Sequence, residues 1–279
     1  MRVHALQTGT VRVKTRQLEG VGRGPLRAIN TMRDREWTEP LPIHAWAVDH
    51  PEGVIVVDTG ETARASQPGY FPRWHPYFRL ALQMFVTPEE EIGPALRGVG
   101  IEPGEVRWVV LTHMHTDHAG GLAAFPDSEV LVTRTEYETA SGFMGKLRGY
   151  LPDEWPPEFA PRLLDLPSEP FGPFPASMPL TDAGDVRIVA TPGHTNGHLS
   201  VVAAEEDGFV FMAGDTSYTE ALMLAGAVDG VAPDPAKARE TLDRIRRFTE
   251  DERVVYLPAH DTQAAERLAE RRPAGRTTS

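Results

Sequence analysis

The chain of 279 residues contains no cysteine. This absence excludes thiol nucleophiles, CxxC redox centres, cysteine-ligated zinc and disulfide frameworks. A chain of this length can bury a substantial core, so it needs neither disulfides nor oligomerisation merely to fold. Hydrophobic residues make up 41% and charged residues 24% of the chain, which is ordinary globular composition and argues against disorder.

Long apolar runs are also absent. No segment approaches the roughly 18 apolar residues of a membrane span, and charges interrupt the N-terminal stretch MRVHALQTGTVRVKTRQ, which is therefore unlike a signal peptide. Positive charge is scarce, with 28 Lys and Arg against 40 Asp and Glu, so the formal net charge is −12. Such a charge disfavours nonspecific binding to nucleic acid or anionic membranes. We expect a soluble, cytoplasmic protein whose partner is a small-molecule substrate, with no nucleic acid and no membrane.

Several catalytic motifs are missing. The chain has no GxxxxGK[ST] phosphate loop, no GxSxG nucleophile elbow, no SxxK pair and no HExxH helix. These absences exclude the nucleotide hydrolases, serine hydrolases and metalloproteases that depend on those motifs.

Short β-rich runs alternate with helical patterns along the chain. This mixture favours an α/β sandwich over separate α and β domains, and we predict one domain spanning residues 1–279. The sequence Thr-Pro-Glu-Glu predicts a helix over 87–99, because it supplies an N-cap, a first-turn proline and acidic residues. An Asp-Pro pair predicts a second helix over 234–248.

Two segments interrupt this alternation. Residues 66–86 are dense in aromatic residues and prolines, and residues 151–180 contain nine prolines. Long loops of this kind are often functional lids, so we predict that each segment is a lid or a pocket wall. The alternative is a proline-stiffened excursion across the surface.

The segment WVVLTHMHTDHAGG carries the densest group of chemically capable side chains. An apolar strand ends at Thr112, and His113, His115, Asp117 and His118 follow it. Alternate residues of an extended chain point to the same side, which brings the first two imidazoles together. A bound cation would resolve the crowding, and His/Asp ligation suits Zn²⁺, with Fe²⁺, Mn²⁺ or Co²⁺ as competitors. The alternative, an ordinary polar loop, is disfavoured by three histidines within six positions.

Three further candidates each follow an apolar strand and stand beside Gly or Pro. They are His194 in TPGHTNGH, Asp215 in AGDTS and His260 in PAHD. Each alone would suit a strand-end turn. Their shared position indicates one functional edge, because catalytic groups concentrate on loops at one edge of a sheet.

Together the motifs HxHxDH, PGHT, GD and AHD resemble those of the metallo-β-lactamase fold hydrolases. The similarity runs from VIVVDTG, which begins at Val54, to His260. The resemblance implies an α/β fold of four layers, an αββα sandwich with two sheets face to face and helices outside. It also implies two divalent metal ions. The resemblance implies that one ion is held by His113, His115 and His194, and the second by Asp117, His118 and His260. It implies that Asp215 bridges both ions.

Within this superfamily, the segments TRTEYE at 133–138 and GDTSY at 214–218 resemble the N-acyl homoserine lactonases, which act in quorum quenching. In that branch a tyrosine three residues after the bridging aspartate lies over the metals, and Tyr218 occupies the matching place. The alternative is that Tyr218 packs in the core. The residue after the second histidine is commonly aromatic in that branch, whereas here it is a threonine. The residues that we expect to line the substrate pocket are Thr116, Phe71, Trp74, Phe78 and Phe85.

The resemblance implies that a hydroxide held by both cations attacks the ring carbonyl of a small lactone, such as an N-acyl homoserine lactone. Tyr218 would donate a hydrogen bond to the carbonyl or ring oxygen, and Asp117 would pass a proton to the leaving alkoxide. Asp58 and His198 would orient ligand histidines by hydrogen bonds. For these two residues, a turn-capping aspartate and a buried histidine with satisfied hydrogen bonds are equally good interpretations.

Other functions stay open at this point. The same fold could hydrolyse another ester, a thioester, a phosphoester or a β-lactam. A metal-bearing binding protein without turnover is disfavoured, since all seven implied ligands are present. The aromatic segment 66–86 could form a homodimer contact instead of covering the site.

Overall fold

Two β-sheets lie face to face at the centre of the computed structural model, which describes residues 1–24 and 26–275. The predicted domain reaches Ser279, and its last four residues lie outside the described ranges. The first sheet has the strand order β4-β1-β2-β3-β5-β6-β7, and the second has the order β12-β11-β10-β9-β8. The strands are β1 (Arg2–Val13), β2 (Leu41–Asp49), β3 (Val54–Val57), β4 (Leu82–Phe85), β5 (Val106–Val110), β6 (Glu129–Thr133), β7 (Arg162–Leu164), β8 (Ser177–Pro179), β9 (Val186–Ala190), β10 (Leu199–Glu205), β11 (Gly208–Gly214) and β12 (Val254–Pro258).

Helices surround the two sheets, and within the described ranges none is long and apolar enough to cross a membrane. Short 3-10 turns occur as connectors at Ala63–Ser66, Pro88–Glu90, Pro103–Glu105, Leu122–Ala124 and Pro152–Glu154. The α-helices are α1 (Thr15–Leu18), α2 (Leu26–Arg33), α3 (Pro76–Leu80), α4 (Ile92–Gly98), α5 (Thr116–Ala119), α6 (Arg134–Ala140), α7 (Gly142–Leu147), α8 (Glu220–Ala225), α9 (Pro235–Asp251) and α10 (Ala264–Glu270).

Side-chain alternation along the strands builds the layers. In β3, Ile55 and Val57 join the core between the sheets, whereas Val56 packs on the other face with Leu96 of α4. The second sheet divides in the same way, and its outer face packs against α9 through residues such as Ile245. Because both faces of each sheet are covered, their strands are almost continuously apolar. The predicted αββα fold is therefore confirmed.

The predicted helix over 234–248 is present as α9, capped by the Asp234 carboxylate, which accepts hydrogen bonds from two first-turn N–H groups. The predicted helix over 87–99 is instead divided. A 3-10 turn ends at Glu90, and α4 begins at Ile92. Pro94 explains the division, because proline is tolerated in the first turn of a helix but not in its interior.

Neither of the two proline-rich segments is a detached lid. Residues 66–86 contain α3 and β4, and β4 pairs antiparallel with β1 at the edge of the first sheet. Residues 151–180 contribute β7 to the first sheet and β8 to the second. In this second segment Phe174 packs against Phe248 of α9. The prediction of a lid or pocket wall at 151–180 is wrong, because its aromatic residues serve packing between elements, and none of its residues lines the cavity described below.

We predict that Gly208→Ala destabilises the protein by about 3 kcal/mol, since the residue has a φ of 136° and a Cβ there would collide with the Arg253 backbone oxygen. Gly208 is the first residue of β11, directly after the turn that joins β10 to β11. Gly104→Ala is the matched control, because no heavy atom lies within 4 Å of its added Cβ. Urea unfolding measures both variants. Equal midpoints for the two would contradict the prediction.

Candidate metal centre

The carboxyl ends of several strands meet at one edge of the sandwich. β3 and β5 are parallel in the first sheet, and β11 and β12 are parallel in the second. Two backbone hydrogen bonds join the sheets at this edge: Leu199 N–H donates to the Thr112 carbonyl at 2.9 Å, and His44 N–H donates to the Ala259 carbonyl at 2.9 Å. The loops that follow β5, β9, β11 and β12 therefore carry the predicted ligands to a common place.

Three imidazoles form a first group of candidate ligands. His115 Nδ1 lies 3.0 Å from His113 Nε2 and 3.0 Å from His194 Nε2. One nitrogen of each ring lies within 4.8 Å of the other two. A ring nitrogen carries either one hydrogen or one lone pair, so His115 Nδ1 cannot form a full hydrogen bond with both neighbours. Convergence of three nitrogens on one point is instead the arrangement of a metal site.

A second group, composed of Asp117, His118 and His260, lies beside the first. His260 Nε2 is 3.4 Å from Asp117 Oδ2, and His118 Nε2 is 3.9 Å from Asp117 Oδ1. Asp215 reaches both groups. Its Oδ1 lies 3.4 Å from Nε2 of His118 and of His260, and its Oδ2 lies 3.5 Å from His194 Nε2.

The chemistry of this donor set fits two divalent cations. In the described part of the chain, His118 Nε2 and Asp215 Oδ1 are buried without a hydrogen-bond partner. Burial lowers the pKa of His118, but the carboxylates of Asp215, Asp58 and Asp117 outweigh it and raise that pKa well above its ordinary value. Burial and the neighbouring imidazoles hold the pKa of His113 well below its ordinary value. The raised pKa of His118 reflects an excess of carboxylate that favours positive charge at this place, and the neutral ring of His113 keeps a lone pair for a cation.

Asp58 holds the ring of His118. Its Oδ2 lies 2.9 Å from His118 Nδ1 and accepts a hydrogen bond from the Thr112 hydroxyl at 2.8 Å, while its Oδ1 accepts from Thr112 N–H at 2.7 Å. The backbone of Asp58 has a φ of 61°, an uncommon conformation for a residue other than glycine. These contacts leave His118 Nε2 facing the second group, and they support the predicted orienting role.

Other ligand histidines have partners that sequence analysis missed. His194 Nδ1 lies 3.3 Å from Asp229 Oδ2, and His260 Nδ1 donates to the Pro42 carbonyl at 2.9 Å. These partners are 35 and 218 residues away along the chain. No local motif marks them, so only the folded chain reveals them.

His198 supports Asp215 and not the His194 ring. Asp215 N–H donates to His198 Nε2 at 3.1 Å, and His198 Nδ1 lies 2.9 Å from the Thr191 hydroxyl. The His194 and His198 ring centroids are 6.4 Å apart. Burial lowers the pKa of His198 to about 3, which keeps the ring neutral and able to accept. His198 therefore connects the start of the His194 loop to the backbone of Asp215.

One buried carboxylate joins the segments that carry the first ligand group. Glu136 Oε1 accepts hydrogen bonds from Met114 N–H at 3.1 Å and from the Tyr150 hydroxyl at 3.0 Å, and Oε2 accepts from the Thr195 hydroxyl at 2.6 Å. Met114 lies between two candidate ligands, Thr195 follows the third, and the Tyr150 ring lies 5.0 Å from that of His115. Glu136 belongs to the TRTEYE segment, whose sequence alone does not indicate this role.

A cavity of about 340 Å³ opens over both ligand groups. Tyr218 lines it, and its ring stacks on His260 with centroids 5.4 Å apart. Thr116 and Phe78 also line the cavity, as predicted.

The other three aromatic pocket candidates lie outside the cavity wall. Phe71 stacks behind Phe78 at 4.8 Å. Phe85 is 50% exposed, because alternation along β4 turns Leu82 and Met84 inward and Phe85 outward. Trp74 is 54% exposed at the surface. The prediction that these three residues line the substrate pocket is therefore wrong.

The hydroxyl of Thr116 is bound by a buried carboxyl group. Glu61 Oε2 accepts from Thr116, and Glu61 Oε1 accepts from the Tyr70 hydroxyl at 2.8 Å and from Thr62 N–H at 2.8 Å. Burial raises the pKa of Glu61 to about 8. Through Glu61, the aromatic segment 66–86 is connected to the ligand loop.

The sequence model of the metallo-beta-lactamase superfamily matches residues 38–260. The chain belongs to this superfamily. Its relatives include an N-acyl homoserine lactonase of Bacillus thuringiensis, 28% identical over 225 residues, which are 80% of this chain and 82% of that protein. The N-acyl homoserine lactonase AttM of Azorhizobium caulinodans is 24% identical over 270 residues, 95% and 94% of the two chains.

A solved structure of similar fold is an N-acyl homoserine lactone hydrolase with the product N-hexanoyl-L-homoserine bound at its catalytic metal center. Its TM-score is 0.75 at 23% sequence identity, covering 95% of this chain and 94% of that one. Membership of the metallo-beta-lactamase superfamily confirms the predicted fold and hydrolase class. Together with the grouped donor atoms, it supports a dinuclear metal site.

We predict that Glu136→Ala weakens metal binding by the first ligand group about 10- to 100-fold, because the backbone of Met114 and the side chain of Thr195 lose their common acceptor. Chelator competition and metal content per chain measure this loss. Glu138→Ala is the control, since Glu138 is exposed on the same helix. If both variants hold metal as tightly as the unchanged chain, Glu136 does not support the site.

We predict that the metal-free protein loses stability as the pH rises from about 5 to 8. Glu61 stays protonated in the folded state over this range, whereas in the unfolded state it ionises near its ordinary pKa of 4.5. The folded state then binds more protons, so the free energy of unfolding falls by up to about 1.4 kcal/mol per pH unit and levels off above pH 8.

Urea unfolding at several pH values tests this dependence on Glu61. Glu61→Gln should flatten the slope, because its side chain does not titrate. Glu89→Gln, at an exposed position, should leave it unchanged. A slope that survives in Glu61→Gln would assign the effect to other groups.

Proposed function

We propose that this hydrolase is a dinuclear metal-dependent lactonase that opens the ring of an N-acyl homoserine lactone. The observation that carries the proposal is the position of Tyr218, which stacks on His260 and lines the cavity together with Asp117 and Asp215. A phenol beside the ligand groups supplies the hydrogen-bond donor that ester opening requires. The lactonases among the relatives support a lactone as the substrate.

The cavity has two chemically different ends. Carboxylates and imidazoles line the end at the ligand groups, whereas the other walls include Val11, Val13, Phe78, Leu82 and Met84. A small polar lactone ring that carries an apolar acyl chain has the same division. The match favours an acylated lactone over a wholly polar substrate.

We assign His113, His115 and His194 to one ion, Asp117, His118 and His260 to the other, and Asp215 to both. The imidazole and carboxylate donors favour Zn²⁺, with Fe²⁺, Mn²⁺ and Co²⁺ as competitors. When bound, two such cations lower the pKa of a water molecule and withdraw electron density from the substrate carbonyl.

The protein's own groups account for the proton movements. Burial raises the pKa of Tyr218 well above its ordinary value, so the hydroxyl keeps its hydrogen and can donate it to the carbonyl or ring oxygen as negative charge develops. The Asp117 side chain is 12% exposed, against 5% for Asp215. The more accessible Asp117 carboxylate is therefore the group that would accept the proton given up by the attacking water and pass it to the leaving alkoxide.

The experiment is a pH-stat measurement of acid release from N-acyl homoserine lactones of short and long chain, with protein shown to carry two metals. We expect acid production by the unchanged chain, and its loss in Asp215→Ala, since that carboxylate reaches both ligand groups. Asp207→Ala, in an exposed turn, is the control and should keep full activity. A protein with two metals that releases no acid would refute the lactone, and thioesters and phosphoesters would be tested next.

We also predict that Tyr218→Phe and Asp117→Asn each lower kcat, the former by about 100-fold, the size of effect found when one such donor is removed. Both variants should unfold at the same temperature as the unchanged chain. Steady-state kinetics and thermal melting measure the two expectations. Unchanged kcat values would remove these roles.

The cytoplasmic location, the homodimer and the absence of nucleic-acid binding stay predictions from the sequence.

A further inference from the structure

Gln17 is a buried polar residue at the edge of the cavity, and the proton movements described above do not use it. It lies in α1, directly after β1, lines the cavity and is 3% exposed. Its backbone is held on both sides, because its N–H donates to the Lys14 carbonyl at 2.8 Å and its carbonyl accepts from Gly230 N–H at 2.8 Å. The backbone that carries the Gln17 side chain therefore has a defined position at the cavity edge.

The amide nitrogen of Gln17 contacts two phenols at once. Nε2 lies 2.8 Å from the Tyr77 hydroxyl oxygen and 2.8 Å from the Tyr218 hydroxyl oxygen. An amide NH₂ has two hydrogens, so it can donate one to each phenol. Each hydroxyl then accepts from Gln17 and must direct its own hydrogen elsewhere. Both tyrosines line the cavity, so the two free O–H donors are available to a substrate there.

The two phenols are close together and differ in their neighbours. Their oxygens lie within about 5.6 Å of each other, because both are 2.8 Å from the same nitrogen. Tyr218 stacks on the ligand His260, whereas Tyr77 lies beside Phe78, with ring centroids 5.7 Å apart, at the apolar wall. The order along the cavity is therefore ligand group, Tyr218, Tyr77 and apolar wall.

An N-acylated lactone presents its groups in the same order. The ring carbonyl comes first, the amide carbonyl follows after one carbon and one nitrogen, and the acyl chain comes last. We propose that Gln17 is a positioning residue that directs the Tyr218 hydroxyl to the lactone ring and the Tyr77 hydroxyl to the amide carbonyl of an N-acylated lactone. This inference rests on the proposed lactonase function and adds that the amide group is recognised.

The first test separates the two phenols by substrate. Tyr77→Phe should raise KM for an N-acyl homoserine lactone about tenfold with little change in kcat, because it removes one hydrogen bond to a group that does not react. The same variant should leave the kinetics of unsubstituted γ-butyrolactone unchanged, since that substrate has no amide. Tyr218→Phe should lower kcat for both substrates. Equal effects of Tyr77→Phe on both lactones, or none on either, would overturn the role of Tyr77.

The second test reverses the hydrogen bonds of Gln17. In Gln17→Glu, a carboxylate accepts from both phenols, so neither phenol can donate to the substrate. We expect kcat to fall as far as in Tyr218→Phe. The kcat of the double variant, Gln17→Glu with Tyr218→Phe, should be within about twofold of that of Tyr218→Phe alone, because both changes remove the same donor. Gln83→Glu, which adds the same charge at an exposed position of β4, is the control and should match the unchanged chain.

Gln17→Met removes the amide without adding charge and keeps the test valid if Gln17→Glu does not fold. It should raise KM and lower kcat by smaller factors, with two metals still bound per chain and an unchanged melting temperature. Two kinetic results would overturn the positioning role: full activity in Gln17→Met, or additive losses of kcat in the double variant. A neutron structure that shows the opposite orientation of the Gln17 amide would also overturn it. If the unchanged chain holds two metals but hydrolyses neither lactone, the proposed function is overturned as well. If the unchanged chain hydrolyses the lactones and the Gln17 and Tyr77 variants have the same kinetics as it, only this inference is overturned.

Discussion

The carboxylate of Asp215 lies between two groups of buried histidines, and the arrangement of this end of the sandwich depends on that contact. Its two oxygens reach His118 and His260 on one side and His194 on the other. Buried carboxylates in such a group are unfavourable unless positive charge compensates them. The structure meets this requirement with donor atoms that converge from four loops, which is why a pair of cations fits the site.

A second layer of contacts keeps those donor atoms in place. Asp58, Asp229 and Glu136 each hold a ligand histidine or the backbone next to one, and His198 holds the backbone of Asp215. These partners belong to different loops, so the ligand geometry is maintained by the packing of the two sheets as a whole. The extended strands supply the rigidity, and the loops at their carboxyl ends supply the chemistry.

The cavity combines that polar floor with walls from the first sheet. β1, α3 and β4 bring apolar residues and Tyr77 to the same space that Tyr218 enters from the second sheet. The segment 66–86 forms part of this wall because β4 pairs with β1, and Glu61 connects the segment to the ligand loop through Tyr70. The cavity walls and the candidate metal ligands are thus built from neighbouring elements, and Gln17 contacts a phenol from each.

The sequence by itself determined the fold class, the superfamily and the seven candidate ligands, because these residues occur in short motifs directly after apolar strands. It also predicted α9 from its cap. It could not determine which aromatic residues of 66–86 face the cavity, since strand alternation in β4 and stacking behind Phe78 decide this. Only the tertiary structure identified Asp229, Pro42 and Gln17 as partners of site residues, because their contacts join chain segments that are far apart in sequence and carry no local pattern.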